Sequence, residues 1–152
     1  MAVTSRFLID TSAAARMRHP GVARVLAPMM QSGTVATCAT LDAEALFSAR
    51  GPAEYERIRS DRRVAYEYLP TDDDHWRRAF SVQRVLAGSG RHREVGIADL
   101  LTAVLAVEHR LLLVHYDADF DTVATVVDLN HRWVAPRGSL EAVTSPGGAE
   151  RP

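Results

Sequence analysis

The sequence predicts an α/β protein: a three-layer α/β/α domain built on a central, mostly parallel sheet. Two observations carry that expectation. Short apolar or β-branched runs alternate with helical stretches along the chain, which is the pattern of parallel strands joined by crossover helices. With 152 residues and 47% hydrophobic content, the chain suits one compact core and leaves no room for a second domain.

The elements follow in order. Arg6 to Ile9 reads as a short buried strand ending at Asp10. In "TSAAARM", Thr11 or Ser12 is placed to cap a helix, and the alanines favour its continuation. Pro20-Gly21 marks a break, and "VARVLAPMMQ" forms a second helix that stops near Gly33. "TVATCAT" is a strand by its β-branched content. Leu41 to Arg50 returns to helical spacing. Gly51-Pro52 interrupts it, and "AEYERIRSDRR" is an exposed, charged helix. "VAYEYLP" is a strand closed by Pro70. "TDDDHWRRAFSVQRVLAGSG" is a helix with a Thr or Asp cap and a glycine stop. After the loop "RHREVG" comes the largely apolar helix "IADLLTAVLAVEHR". The strand "LLLVHY", the short helix "ADFDTVATVV" and a last strand, "HRWVA", complete the pattern. From Pro136 the chain turns polar and rich in Gly and Pro, the composition of a frayed tail.

Composition narrows the function. The formal net charge is -1, so no global positive field marks the chain as a nucleic-acid binder. All 18 basic residues are arginine, the residue best shaped for forked contacts with phosphate or carboxylate. Cys38 is the single cysteine, so no intramolecular disulfide forms, which fits a reducing compartment. "MAVTSRFLID" has too short an apolar stretch for a signal peptide. No apolar run approaches the roughly 20 residues of a membrane helix. The expectation is a soluble cytoplasmic protein.

Four acids stand at positions with structural meaning. Asp10 ends the first strand and Asp117 follows "LLLVHY". Residues at the carboxyl ends of parallel strands line the crevice where such sheets bind ligands. Glu44 lies in the first turns of the helix after "TVATCAT", and Asp99 near the start of "IADLLTAVLA". Asp119, at the expected cap of the next short helix, adds a fifth acid. Singly, each has an ordinary reading as a cap, a turn residue or a solvated side chain. Together they fall on one rim of the sheet. Carboxylates packed together repel one another unless a cation sits between them. An oxygen-only set suits Mg²⁺ or Mn²⁺ better than Zn²⁺. Such an ion lowers the pKa of a bound water and offsets charge on a phosphodiester.

Other candidates have plainer readings. Asp72, Asp73 and Asp74 are capping and macrodipole residues at a helix start. His115 and His131 are read as isolated packing or surface histidines, Trp76 and Trp133 as core or interface anchors, and Cys38 as a buried inert thiol. No Gly-rich phosphate loop is present. From Arg50 to Arg93 ten arginines face seven acids (Glu54, Glu56, Asp61, Glu67, Asp72, Asp73 and Asp74), which makes this stretch the best candidate for phosphate contact.

The motifs "FLIDTSA", "LDAEALFSAR", "GIADLLTAVLA" and "LLLVHYDADFDTVA", in this order and spacing, resemble those of PIN-domain ribonucleases, and among them the VapC-type toxins of bacterial toxin–antitoxin pairs. The resemblance runs roughly from Arg6 to Pro136. It implies a PIN-like nuclease domain over 1–137 and a flexible C-terminal tail over 138–152. It places the family's four acids on Asp10, Glu44, Asp99 and Asp117, and an additional acid on Asp119. These would bind Mg²⁺ or Mn²⁺ and hydrolyse RNA through a metal-activated water. Ser12 matches a small hydroxyl residue lining the same site. His115 departs from the pattern, since many relatives have Thr or Ser there. The resemblance also implies a homodimer and a cognate antitoxin protein, with no membrane partner.

Two other readings compete. "DAD" after an apolar strand is also seen in haloacid-dehalogenase-like phosphatases, but there it opens the domain. Here only about 30 residues follow it, too few for the rest of such a sheet. A non-catalytic PIN-fold binding module would be expected to have lost at least one acid.

Overall fold

The computed structural model describes residues 2–140. Its elements run β1 (Phe7–Ile9), α1 (Thr11–Ala14), α2 (Pro20–Gln31), β2 (Val35–Cys38), α3 (Ala39–Phe47), α4 (Pro52–Ala65), β3 (Glu67–Leu69), α5 (Asp73–Gly88), α6 (Ile97–Glu108), β4 (Leu112–His115), α7 (Asp119–Ala124) and β5 (His131–Trp133). The five strands form one sheet in the order β3-β2-β1-β4-β5. Every pairing is parallel, so the sheet is wholly rather than mostly parallel.

The three layers follow from strand alternation. Leu8, Ala36, Cys38 and Leu113 face one way and meet Leu86 of α5, Leu100 and Leu105 of α6, and Phe120 of α7. Ile9, Val35 and Val114 face the other way, against Ala13, Val22, Leu26 and Tyr116. Strands covered on both faces read as continuous apolar runs, as "FLI" and "LLV" do. Chain order runs outward from β1 to β3, then resumes at β4 on the other side of β1. The switch point therefore lies between β1 and β4, where open parallel sheets form their ligand crevice.

Local differences from the sequence reading have identifiable causes. Asp10, not Thr11 or Ser12, is the N-cap of α1, which spans one turn. α2 begins at Pro20 instead of after it, because Pro fits the first helical turn and the His19 side chain accepts the Gly21 N–H. Ala39 and Thr40 start α3 directly after Cys38. Val64 and Ala65 stay in α4, and Val64 is 87% exposed. Only Glu67 to Leu69 pair with β2, so the edge strand is three residues long. α4 buries no residue, as its charged sequence implies. Asp72 caps α5, with His75 completing a capping box. His75 also bonds Glu108, joining the start of α5 to the end of α6. Leu140 packs on the second core layer, and its N–H donates to the Tyr116 hydroxyl at 3.0 Å. The remainder of the expected tail, 141–152, lies outside the described residues.

Leu8 sits fully buried on the central strand of the sheet. Leu8→Ala is expected to cost about 2–5 kcal/mol in urea unfolding followed by circular dichroism. A loss below about 1 kcal/mol would mean that β1 is not the packed centre.

Candidate metal centre

Asp10 is the first residue past β1, and its backbone N–H donates to Val114 O of the neighbouring strand at 2.8 Å. The residue is 4% exposed. Its Oδ2 accepts the Ser12 backbone N–H at 3.0 Å and the Ser12 hydroxyl at 2.5 Å. Ser12 Oγ in turn accepts the Tyr116 N–H at 2.9 Å. Asp10 Oδ1 is buried with no hydrogen-bond partner among the described residues. Glu44 projects from α3 and accepts the Thr11 hydroxyl at 2.5 Å. Asp99 lies in the first turn of α6. Asp117 follows β4, and its Oδ1 accepts the Asp119 N–H at 2.9 Å. Asp119 is the first residue of α7 rather than its cap; Ala118 holds the N-cap position without a side-chain bond. The Asp117 carboxylate satisfies the helix N–H instead.

One carboxylate oxygen from each of Asp99, Asp117 and Asp119 lies within 4.8 Å of the others. Asp10 and Glu44 stand outside that tight trio yet within its field. Burial, followed by the charges of Asp10, Asp117, Glu44 and Asp119, pushes the Asp99 carboxyl up to about 7. Burial also raises Asp10, against the two Ser12 hydrogen bonds that favour its ionised form. Asp119 is raised by burial and then by Asp117. The donors are all oxygens, one buried oxygen is unpartnered, and like charges press together. Each feature fits a hard divalent cation, and none fits a thiolate- or imidazole-based centre.

The two histidines are not isolated. His115 is fully buried; its Nδ1 accepts the Asp117 N–H at 3.1 Å, and its Nε2 bonds His131 Nδ1 at 2.9 Å. Burial and His131 lower the His115 pKa to about 4. Trp133 donates its indole N–H to Asp121 at 3.1 Å and packs edge-on against Tyr116. Trp76 is 40% exposed and pairs with Phe80 at 6.1 Å between centroids. Thr11 was legible only as a possible cap; its bond to Glu44 depends on how α1 meets α3. Cys38 is buried, as expected.

The arginine-rich stretch is partly self-neutralised. Arg62 bonds Asp42 at 2.8 Å and Thr37 at 2.9 Å, while Arg50, Arg59, Arg78 and Arg91 pair with nearby acids. Arg57, Arg63, Arg77, Arg84 and Arg93 have no ion pair among the described residues.

The Asp99 carboxyl sits near 3.8 unfolded and about 7 folded. A raised acid pKa destabilises the fold progressively as pH climbs from the unfolded value towards the folded one. Asp99→Asn mimics the protonated acid, so it is expected to raise the Tm of metal-free protein at pH 8. That gain should shrink steadily towards pH 4. A thermal melt series showing a pH-independent effect would mean that Asp99 ionises normally.

The chain matches the PIN domain over residues 7–126. Ribonuclease VapC21 of Mycobacterium tuberculosis is 38% identical over 137 residues, covering 90% of this chain and 99% of that protein. Ribonuclease VapC51 of the same organism is 37% identical, covering 90% and 98%. In structure, the DNA-bound VapBC from Salmonella typhimurium superposes with a TM-score of 0.66 at 15% identity, covering 86% of this chain and 99% of that one. FitAcB from Neisseria gonorrhoeae gives a TM-score of 0.66 at 18% identity, covering 84% and 97%. The solved structures carry the fold; the sequence relatives carry the family. The chain belongs to the PIN-domain family, among the VapC ribonucleases.

Proposed function

We propose that this protein is the toxin of a type II toxin–antitoxin pair, an endoribonuclease that hydrolyses RNA phosphodiester bonds at the Asp10, Glu44, Asp99, Asp117 and Asp119 cluster with Mg²⁺ or Mn²⁺. The observation that carries this reading is the crowding of Asp99 by four neighbouring carboxylates, with Asp10 Oδ1 left buried and unpartnered. Such a cluster is costly without a cation and well matched to one. A bound divalent ion supplies a Lewis acid and acidifies a coordinated water.

The chain's own residues set the geometry. Ser12 fixes the Asp10 carboxylate by two bonds to one oxygen, which leaves the other free for the ion. Thr11 holds Glu44 towards α1. Asp117 orients the start of α7 and so the position of Asp119. Arg57, Arg63 and the other unpaired arginines supply positive charge for the RNA backbone. All five acids are retained in the cluster, which favours a catalytic protein over a binding module.

Neighbours of similar fold support an antitoxin partner. Solved structures of similar fold are toxin–antitoxin complexes, and we extend that to a cognate antitoxin protein and a homodimer here, in the cytoplasm. No described helix is long and apolar enough to cross a membrane.

Asp10→Ala and Asp99→Ala are expected to lower RNA cleavage by about 100-fold or more, the scale of losing one preorganised electrostatic contact, and to abolish growth arrest while circular dichroism stays native. EDTA should stop wild-type cleavage, and Mn²⁺ should restore it. Cleavage by Asp10→Ala at the wild-type rate would refute this centre. Light scattering on the purified chain is expected to give the mass of two copies; a monomer would refute the dimer.

A further inference from the structure

His115 sits two residues before Asp117 and takes no part in the chemistry so far described. Alternation along β4 turns it to the same face as Leu113. There its ring lies nearly coplanar and edge to edge with His131, centroids 5.1 Å apart, and tilts against Phe120 at 5.0 Å and Trp133 at 5.2 Å. Three rings from α7 and β5 thus fix its plane.

The hydrogen bonds fix its proton. A backbone N–H can only donate, so the nitrogen facing Asp117 N–H, Nδ1 at 3.1 Å, presents a lone pair. In a neutral imidazole the proton is then on Nε2. Nε2–H donates to His131 Nδ1 at 2.9 Å, and His131 keeps its own proton on Nε2. The same proton placement bears on a second grouping. His115, His131 and Asp121 each bring a potential ligand atom within 4.8 Å of the others. His115 Nε2 bears a proton and Nδ1 is already occupied, so neither nitrogen is available to a cation there.

We propose that His115 is a positioning residue for the cation centre: its single tautomer anchors the Asp117 N–H and thereby sets where the Asp117 and Asp119 carboxylates stand. The proposal rests on the metal reading given above. Asp117 supplies one oxygen of the tight trio and, through its bond to the Asp119 N–H at 2.9 Å, also places the start of α7. The N–H acceptor at His115 is therefore the fixed end of a chain that reaches two of the three closest carboxylates. Groups that hold metal ligands from behind affect affinity by about 10- to 100-fold.

The test uses three proteins and two readouts. In His115→Asn the side-chain oxygen takes the place of Nδ1 and keeps the acceptor, but the His131 contact is lost. In His115→Gln the amide reaches the Nε2 position and the acceptor beside Asp117 is lost. Calorimetric titration with Mn²⁺ is expected to place His115→Asn within about threefold of wild type and His115→Gln weaker by about tenfold or more. Nitrogen-15 NMR of metal-free wild type should show His115 protonated on Nε2 alone. Equal Mn²⁺ affinity in the two variants, or an Nδ1-protonated His115, overturns the proposal. Should either variant fail to fold, the wild-type tautomer decides. Wild-type protein with no Mn²⁺ affinity would instead refute the metal centre, while the tautomer would still report whether the Asp117 N–H is held as described.

Discussion

Negative charge confined at the carboxyl edge of a buried sheet is the constraint around which this molecule is arranged. Asp10, Glu44, Asp99 and the Asp117–Asp119 pair come from four separate places in the chain. Water is partly withdrawn from them, and the other four each raise the cost of ionising Asp99. Left alone, such a group protonates or spreads apart. A divalent cation would remove the conflict, since opposite charge at contact distance outweighs desolvation when several oxygens share it. The polar residues around the acids are consistent with that purpose: Ser12, Thr11 and His115 each hold a carboxylate or its backbone in place.

The scaffold makes the crowding possible. Parallel pairing of β1 with β4 brings Ile9 beside Val114, so the residues just beyond both strands emerge next to one another at the switch point. α6 is largely apolar and buried from Leu100 to Ala106, which allows it to carry Asp99 to the same place without bringing other charges there. Layers on both faces shield the strands, so the open edge is left as the polar surface of the crevice.

Much of this was legible in the sequence, and the limits have physical causes. Alternating strands and helices, and acids at strand ends, are local patterns with fixed periods. They gave the layered architecture and the rim on which the five acids lie. Boundaries were less visible: Ala39 and Thr40 look like strand, yet helix α3 claims them, because β2 finds pairing partners only as far as Cys38. The His115–His131 link was hidden for a different reason. Sixteen residues separate the two rings, and they meet only through the register that sets His131 against Leu113 and Trp133 against His115. Parallel register is a long-range property, and the residues between the strands do not encode it. The Thr11–Glu44 bond was hidden likewise, since it joins two helices that approach through packing.

The most direct check is anomalous diffraction at the manganese edge from crystals grown or soaked in Mn²⁺. The expected result is a peak among the carboxylate oxygens of Asp10, Asp99, Asp117 and Asp119, at about 2.0–2.6 Å from those that bind it, the span covered by hard divalent ions. A map with no peak in that notch, and the carboxylates turned outward to solvent, would contradict it.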